Sequence, residues 1–437
     1  MGISFEKSLL HKSKKMMLTV DTEGLEFCSK IFDDVRAMSK DGPGVTRQGY
    51  GPVETKTLDY LTAIGRDLGL EIKKDPAGNV WMTLPGKDRT LPAFVSGSHA
   101  DSVPEGGNYD GLAGITAALY TARAMKKAGF TPKRDFTVLM MRCEESSFYG
   151  KSYIGSLAFT GKLTPDVTAL TDRTKEKTLG EHMRECGFDP EKLTTGKPLM
   201  DLKKIAAFVE LHIEQGPTLT SSETVRTGIV TGIRGNIRHK QVKIIGETAH
   251  SGAVDKPYRH DAVLACADFL SRMDKAWDEF LAAGDDLVFT VGVLKTAPTA
   301  AISVIPGEVT FTVDMRSLKL ETVEKFHAKL LETAQAVSKA RGVKFEFDKK
   351  LITDPASVNP ELMQRLEATA KTIGLPVRLI ASGAGHDAAV IGAAGVPVAM
   401  IFVANQNGSH NPHEAMKLDD FMLGAELLKA AVTGYDA

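Results

Sequence analysis

At 437 residues, and roughly 150 per domain, the chain has room for about two or three domains with a well-buried core. Lys+Arg number 54 against 55 Asp+Glu, a formal net charge of -1, so no basic excess exists to neutralise phosphates and nucleic acid is excluded as the main partner. The longest apolar run, Ala388 to Ala404, is shorter than the roughly 20 residues of a spanning helix and is broken between Gly392 and Pro397, so no membrane partner is expected.

The first 16 residues read as a frayed extension that includes His11. They lack the continuous apolar segment of a secretion signal, and Glu6 stands where an acylation signal needs Ser or Thr. Cys28, Cys143, Cys186 and Cys266 form no CxxC pair and read as reduced, buried thiols of a cytoplasmic protein.

Four apolar runs follow, each ending in polar residues: LPAFVSGSHAD, DFTVLMMRCEE, IAAFVELHIEQ and, near the end, VPVAMIFVANQNGSH. Continuous rather than alternating hydrophobicity predicts strands buried on both faces, as in a parallel sheet between helices. The helical stretch Gly111 to Lys127 between them makes the pattern α/β. Ligands in such sheets sit beyond the carboxyl ends of the strands, so the four polar strand ends point to one site.

After Gly216-Pro217 the pattern changes. The strand-like RHKQVKIIGE, LVFTVGVLK, EVTFTVDMRS and VKFEFDKK alternate with two helical stretches in the order β-α-β-β-α-β, a ferredoxin-like α+β arrangement. It reads as a domain over residues 218–349, inserted into an α/β domain made of residues 1–217 and 350–437.

GSHADSVPEGGNYDG offers His99, Asp101 and Asp110 around a glycine-rich turn, a ligand set suited to divalent ions. Glu144 and Glu145 end a buried strand, where two adjacent carboxylates are costly unless one binds a cation and the other works as a base. His212 and His410 each follow an apolar run. Any one of these reads equally well as a solvated strand end or a hydrogen-bonded structural residue; their joint placement favours a metal site. His182, His239, His260 and His327 lack that setting and read as surface or helix residues. His413 stands close enough to compete with His410, but a helix starting at Pro412 would aim it elsewhere. SGAGHDA has the G-x-G-x-x-A spacing of a dinucleotide fingerprint, yet no acidic residue follows at the required distance, and neither GxxxxGK[ST] nor GxSxG occurs.

Together GSHADSVPEGGNYDG, CEESSFYGKSYIGSLAFTG, LHIEQGP, TGIRG, GETAHSG, SGAGHDA and SHNPHE resemble, in order, the N-carbamoyl-amino-acid hydrolase and allantoate amidohydrolase branch of the dinuclear aminoacylase/carnosinase-type metallohydrolases. The resemblance runs from about Gly44 nearly to the C-terminus. It implies that His99, Asp110 and His212 hold one divalent metal and that Asp110, Glu145 and His410 hold a second, with zinc first and manganese, cobalt or nickel as alternatives. It also implies that Asp101 orients His99 and that Glu144 is the general base for the attacking water. His250 would reach across a homodimer interface to stabilise the oxyanion, and Arg316 would clamp the substrate carboxylate. Gln215, Gly385 and His386 would line the pocket.

The implied reaction is hydrolysis of the C-N bond of an N-carbamoyl-L-amino acid, with ammonia and carbon dioxide released. Alternatives are allantoate or ureidoglycolate hydrolysis, or an aminoacylase or dipeptidase activity. Two departures bear on that choice: Ser303 replaces the usual Asn before the IPG turn, and in Glu144-Glu145-Ser146-Ser147-Phe148 a usual Gly becomes Ser146 and a positive charge becomes Phe148. Neither touches a proposed ligand or the proposed base.

Overall fold

Strands that are apolar on both faces need cover on both sides, and the larger of the chain's two compact units supplies it. The computed structural model describes residues 21–436, so the expectations for residues 1–16 lie outside the described residues. The larger unit runs to Val230 and resumes over Val358–Ile380 and from His386 onward; the smaller comprises Thr231–Ser357 and Ala381–Gly385. These limits fall later than 217 and 350. The Gly216-Pro217 turn is a loop capped by Glu214, whose carboxylate accepts the N–H groups of Thr218 and Leu219, and the chain then forms one more strand paired with Val398–Val403 before leaving.

At the centre of the larger unit four strands lie parallel, in the order Val398–Val403, Ile205–Ile213, Ala93–His99 and Phe136–Met141. Val80–Leu84 and then Glu71–Lys74 extend one side antiparallel, and Thr227–Ile233 pairs antiparallel on the other. The sheet is therefore mixed, with the parallel character confined to the fully buried middle. Helix Leu112–Lys127 is buried along most of its length, which its run of Ala, Leu and Ile permits. It shares a core with Phe421, Met422 and Leu427 of helix Leu418–Thr433. Removing one such aromatic, as in Phe421→Ala, costs about 3–5 kcal/mol. The apolar run Ala388 to Ala404 is divided between helix Asp387–Ala393 and strand Val398–Val403, and no helix among the described residues is long and apolar enough to cross a membrane.

In the smaller unit an antiparallel sheet centres on Gly235–Ile245 and Glu308–Ser317. Lys344–Phe347 pairs on one side, and Val288–Thr290 and Leu294–Thr296 on the other. Burial alternates strictly along Glu308–Ser317, with Val309, Phe311, Val313 and Met315 facing inward. Helices Ala262–Ala282 and Leu320–Arg341 contribute Phe269, Phe326 and Leu330 to that same core. The single strand expected over LVFTVGVLK is divided into Val288–Thr290 and Leu294–Thr296, and between them the Val293 amide donates to the Thr312 hydroxyl. His239 and His327 are not surface residues: both are buried, with their Nε2 atoms 3.0 Å apart. His327 does lie on a helix, Leu320–Arg341.

All four cysteines are free; Cys28, Cys143 and Cys266 are buried and Cys186 is half-buried.

Candidate active site

The proposed metal-binding side chains are delivered by the ends of strands, the start of a helix and the loop after a strand. His99 is the last residue of Ala93–His99, His212 is next to last in Ile205–Ile213, and Glu144 and Glu145 follow Phe136–Met141. Asp110 precedes helix Leu112–Lys127, and His410 lies in the loop after Val398–Val403. Between Asp110 and that helix, Gly111 adopts φ 68°, and a Cβ there would come within 2.5 Å of the His99 ring, so only glycine lets the two ends of the motif close.

The atoms converge on Asp110. Its Oδ1 lies 3.3 Å from His99 Nε2 and 3.2 Å from His212 Nε2. Its Oδ2 lies 3.7 Å from His410 Nε2, which is itself 3.1 Å from Glu145 Oε1. Ligand atoms of His99, Asp110 and His212 all fall within 4.8 Å of one another, and so do those of Asp110, Glu145 and His410. Asp101 Oδ1 is 3.3 Å from His99 Nδ1, and Glu144 Oε2 is 3.9 Å from His99 Nε2. On the far side of its ring His212 Nδ1 faces the carbonyl of Ile213 at 2.9 Å, which leaves Nε2 toward Asp110.

The electrostatics fit a cation. Burial opposes the charge on Asp110, yet His212 and His99 hold its carboxyl well below the usual range. Burial also opposes charge on His99, but Glu144, Asp101 and Asp110 together raise it well above the ordinary imidazole value, and Asp110 raises His212 in the same way. The surroundings thus demand positive charge where two imidazoles and a shared carboxylate meet, and this N/O donor set is the kind that takes a divalent ion. Burial pushes the Glu144 carboxyl well above its usual range, against His99 and with Glu145 and Asp387.

Around these residues lies a layer that sequence reading did not single out. Glu414 is buried and accepts the N–H groups of Tyr109 and Asp110, while Ser409 Oγ lies 2.6 Å from Asp110 Oδ2 and 2.7 Å from Glu414 Oε2, with one proton to donate to either. Glu210 accepts from Ser98 Oγ and the Ala388 amide; Asp387, pushed up to about 8 by burial and then by Glu210, accepts from Ser156. The available signal was an acid two to four residues from an already suspect histidine, Glu210 before His212 in VELH and Glu414 after His410 in HNPHE. Pro412 lies in a turn and not at the start of a helix, and His413 belongs to neither of the two groups of potential metal ligands found among the described residues.

Gln215, at φ 64°, donates from Nε2 to Asp110 Oδ2 at 2.7 Å, and its buried Oε1 has no hydrogen-bond partner among the described residues. The His386 ring packs 4.5 Å from that of His212, and burial, then His212, depresses its pKa well below the ordinary value. Phe148 packs against the apolar cluster of Tyr50, Tyr149, Ile154 and Leu179. A separate cavity of about 590 Å³, lined by Trp81, Phe159, Ala93 and Ile205, lies at the amino ends of the central strands and includes none of the proposed site residues.

The smaller unit holds the remaining residues in two places. Arg316 bonds through Nε and Nη2 to Asp314 and through Nη1 to the Gly383 carbonyl at 2.6 Å, two residues before Gly385. His250 pairs with Val304 in a short ribbon, and the next amide, Ser251, donates to the Ser303 carbonyl at 3.0 Å.

The chain has relatives among known proteins. The family described as Peptidase family M20/M25/M40 matches residues 95–434. The chain is 31% identical to an N-carbamoyl-L-amino-acid amidohydrolase of Paenarthrobacter aurescens over 426 residues, covering 96% of this chain and 100% of the relative. It is 33% identical to a ureidoglycolate hydrolase of Oryza sativa subsp. japonica, covering 94% and 84%, and 33% identical to an allantoate amidohydrolase of Escherichia coli K12, covering 88% and 91%. Among solved structures, an amidase of the hydantoinase/carbamoylase family from Burkholderia multivorans superposes with a TM-score of 0.86 at 27% identity, covering 95% of this chain and 97% of that one. With its α/β unit carrying the convergent histidines and carboxylates and its smaller α+β unit, the chain belongs to Peptidase family M20/M25/M40.

Proposed function

We propose that the protein is a metal-dependent amidohydrolase that cleaves the C-N bond of N-carbamoyl-L-amino acids or related linear ureides, yielding the amine, ammonia and carbon dioxide. The observation that carries this reading is the aim of His99 and His212 Nε2 at one oxygen of Asp110 while His410 and Glu145 approach the other. His99, Asp110 and His212 would hold one divalent cation and Asp110, Glu145 and His410 the other. Cations bound there lower the pKa of an attacking water and polarise the scissile carbonyl.

The protein's own groups supply the rest. Glu144, its carboxyl raised by burial, takes the proton from the attacking water and returns it to the leaving nitrogen. Asp101 fixes the His99 ring through Nδ1. Gln215 Oε1 offers an acceptor to a ureido N–H, and the neutral His386 ring lines the same wall. Arg316, fork-shaped and already held by Asp314, takes the substrate carboxylate, and His250 takes the oxyanion. Ser303 and Gly385 complete the substrate-binding set. The larger unit is the catalytic domain and the smaller a dimerisation and lid domain, in a cytoplasmic homodimer with zinc as the first choice of metal.

The allantoate and ureidoglycolate reading is favoured by relatives with those names at identities like that of the carbamoylase. One experiment separates the readings: ammonia release by metal-loaded protein from N-carbamoyl-L-amino acids, allantoate and ureidoglycolate, with amine release from acetyl-amino acids and dipeptides in parallel. Turnover of a carbamoyl or ureide substrate is expected; activity on acyl or peptide substrates alone would overturn the proposal.

A further inference from the structure

The segment that carries Glu144 and Glu145 is held through its backbone by two buried carboxylates. Asp101 accepts the N–H of Glu144 at 2.9 Å with one oxygen and that of Glu145 at 3.0 Å with the other. One residue earlier, the N–H of Cys143 donates to Glu54 Oε1 at 2.8 Å. The carbonyls of Arg142, Cys143 and Glu144 accept from Gly155, Ile154 and Tyr153. Three consecutive amides therefore end on carboxylates, although neither Asp101 nor Glu54 belongs to this stretch of chain.

Cys143 needs such restraint. Its φ is 52°, the left-handed region that a non-glycine residue enters only when its surroundings compel it. This reversal ends the strand Phe136–Met141 and turns the next two side chains toward His99 and His410. Glu54, on helix Pro52–Asp67, is fully buried, and its other oxygen accepts from the Tyr50 amide at 2.8 Å and from Arg142 Nε at 2.6 Å. Arg142 in turn donates to Thr55 and lies 4.7 Å from the Tyr50 ring centre. Burial opposes charge on both partners: it raises the Glu54 carboxyl, which Arg142 pulls back down, while Glu54 and its neighbours raise the Arg142 pKa against its own burial.

We infer that Glu54 is a positioning residue for hydrolysis: by accepting the Cys143 N–H it holds the left-handed turn that sets Glu144 and Glu145 in place. This rests on the proposed roles of those two residues. Glu54 itself touches neither substrate nor cation.

Shortening the side chain while keeping its charge tests the idea. In Glu54→Asp the carboxylate no longer spans Cys143, Tyr50 and Arg142 together. Zinc titration by calorimetry should show the second equivalent, which needs Glu145, weakened about tenfold or more with the first unchanged, and kcat falling about as much with little change in KM. Adding Cys143→Gly should recover much of both losses, because glycine adopts φ near 50° without restraint. A second variant, Glu54→Gln/Arg142→Met, removes both charges but keeps an acceptor for Cys143, and should bind the second equivalent as the unmodified protein does. The inference is overturned if Glu54→Asp leaves kcat and both equivalents unaltered, if it weakens both equivalents alike, or if the Gln/Met variant loses the second equivalent. An unmodified protein that binds fewer than two equivalents would instead sink the two-cation reading.

Discussion

His410 Nε2 lies 3.1 Å from Glu145 Oε1, and this contact makes the site a competitor for protons as well as cations. The hydrogen bond that His410 donates to Glu145, partly opposed by burial, pushes the His410 pKa up to about 9, and His99 and His212 are also raised. Cation loading requires neutral imidazoles, so it must expel protons. Affinity is expected to rise between about pH 6 and about pH 9, with at least about one proton released per cation at neutral pH. Calorimetry in buffers of different ionisation enthalpy measures this directly, and loading without proton release would contradict it. In metal-stripped protein the raised pKa stabilises the fold below the free-histidine value near 6.5 and ceases to do so as pH rises through about 9.

Glu144→Gln removes the proposed base while leaving every proposed ligand in place. Turnover should fall by about 10²–10⁴-fold, with cation content and melting temperature nearly unchanged. Retained activity would mean that the base is another group.

Gly111→Ala tests whether the motif's closure depends on glycine. The added methyl would enter the His99 ring at 2.5 Å, and the φ of 68° is strained for alanine. A loss of stability on the order of 2 kcal/mol is expected by denaturant titration, together with weaker binding of the first cation. Unaltered binding would show that His99 is not held as described.

The buried pair His239 and His327 should make the smaller unit acid-sensitive. His239 Nδ1 also faces Asp348 at 3.0 Å, while burial, then His239 and Lys350, lowers the His327 pKa despite Glu324. A depressed folded pKa gives stability that is present above the free-histidine value near 6.5 and lost as pH falls below it. The melting temperature should therefore drop between about pH 7 and about pH 5, and His327→Gln should flatten that dependence. An identical slope in the variant would count against the pair.

The strand ends were legible because chemistry and periodicity coincide there. A continuous apolar run ending in His, Asp or Glu marks a buried strand and its functional tip together, as at His99, Glu145 and His212. Glu54 was not legible, because it acts on the backbone amide of Cys143, far away in sequence, and no local pattern encodes that pairing. His239 was misjudged for a related reason. Its strand alternates, and one face is buried by helices that arrive only later in the chain. The antiparallel edges of the main sheet escaped notice because strand direction follows from connections, which apolar runs do not reveal.

Two cations held around Asp110 are proposed to enable hydrolysis of a ureido C-N bond. The most direct test follows ammonia release from an N-carbamoyl-L-amino acid or allantoate as zinc or manganese is added stepwise to chelator-stripped protein. Activity should be absent at the start and rise to a plateau at about two equivalents per chain. Full turnover in the stripped protein, or none at any loading on any ureide, would contradict the claim.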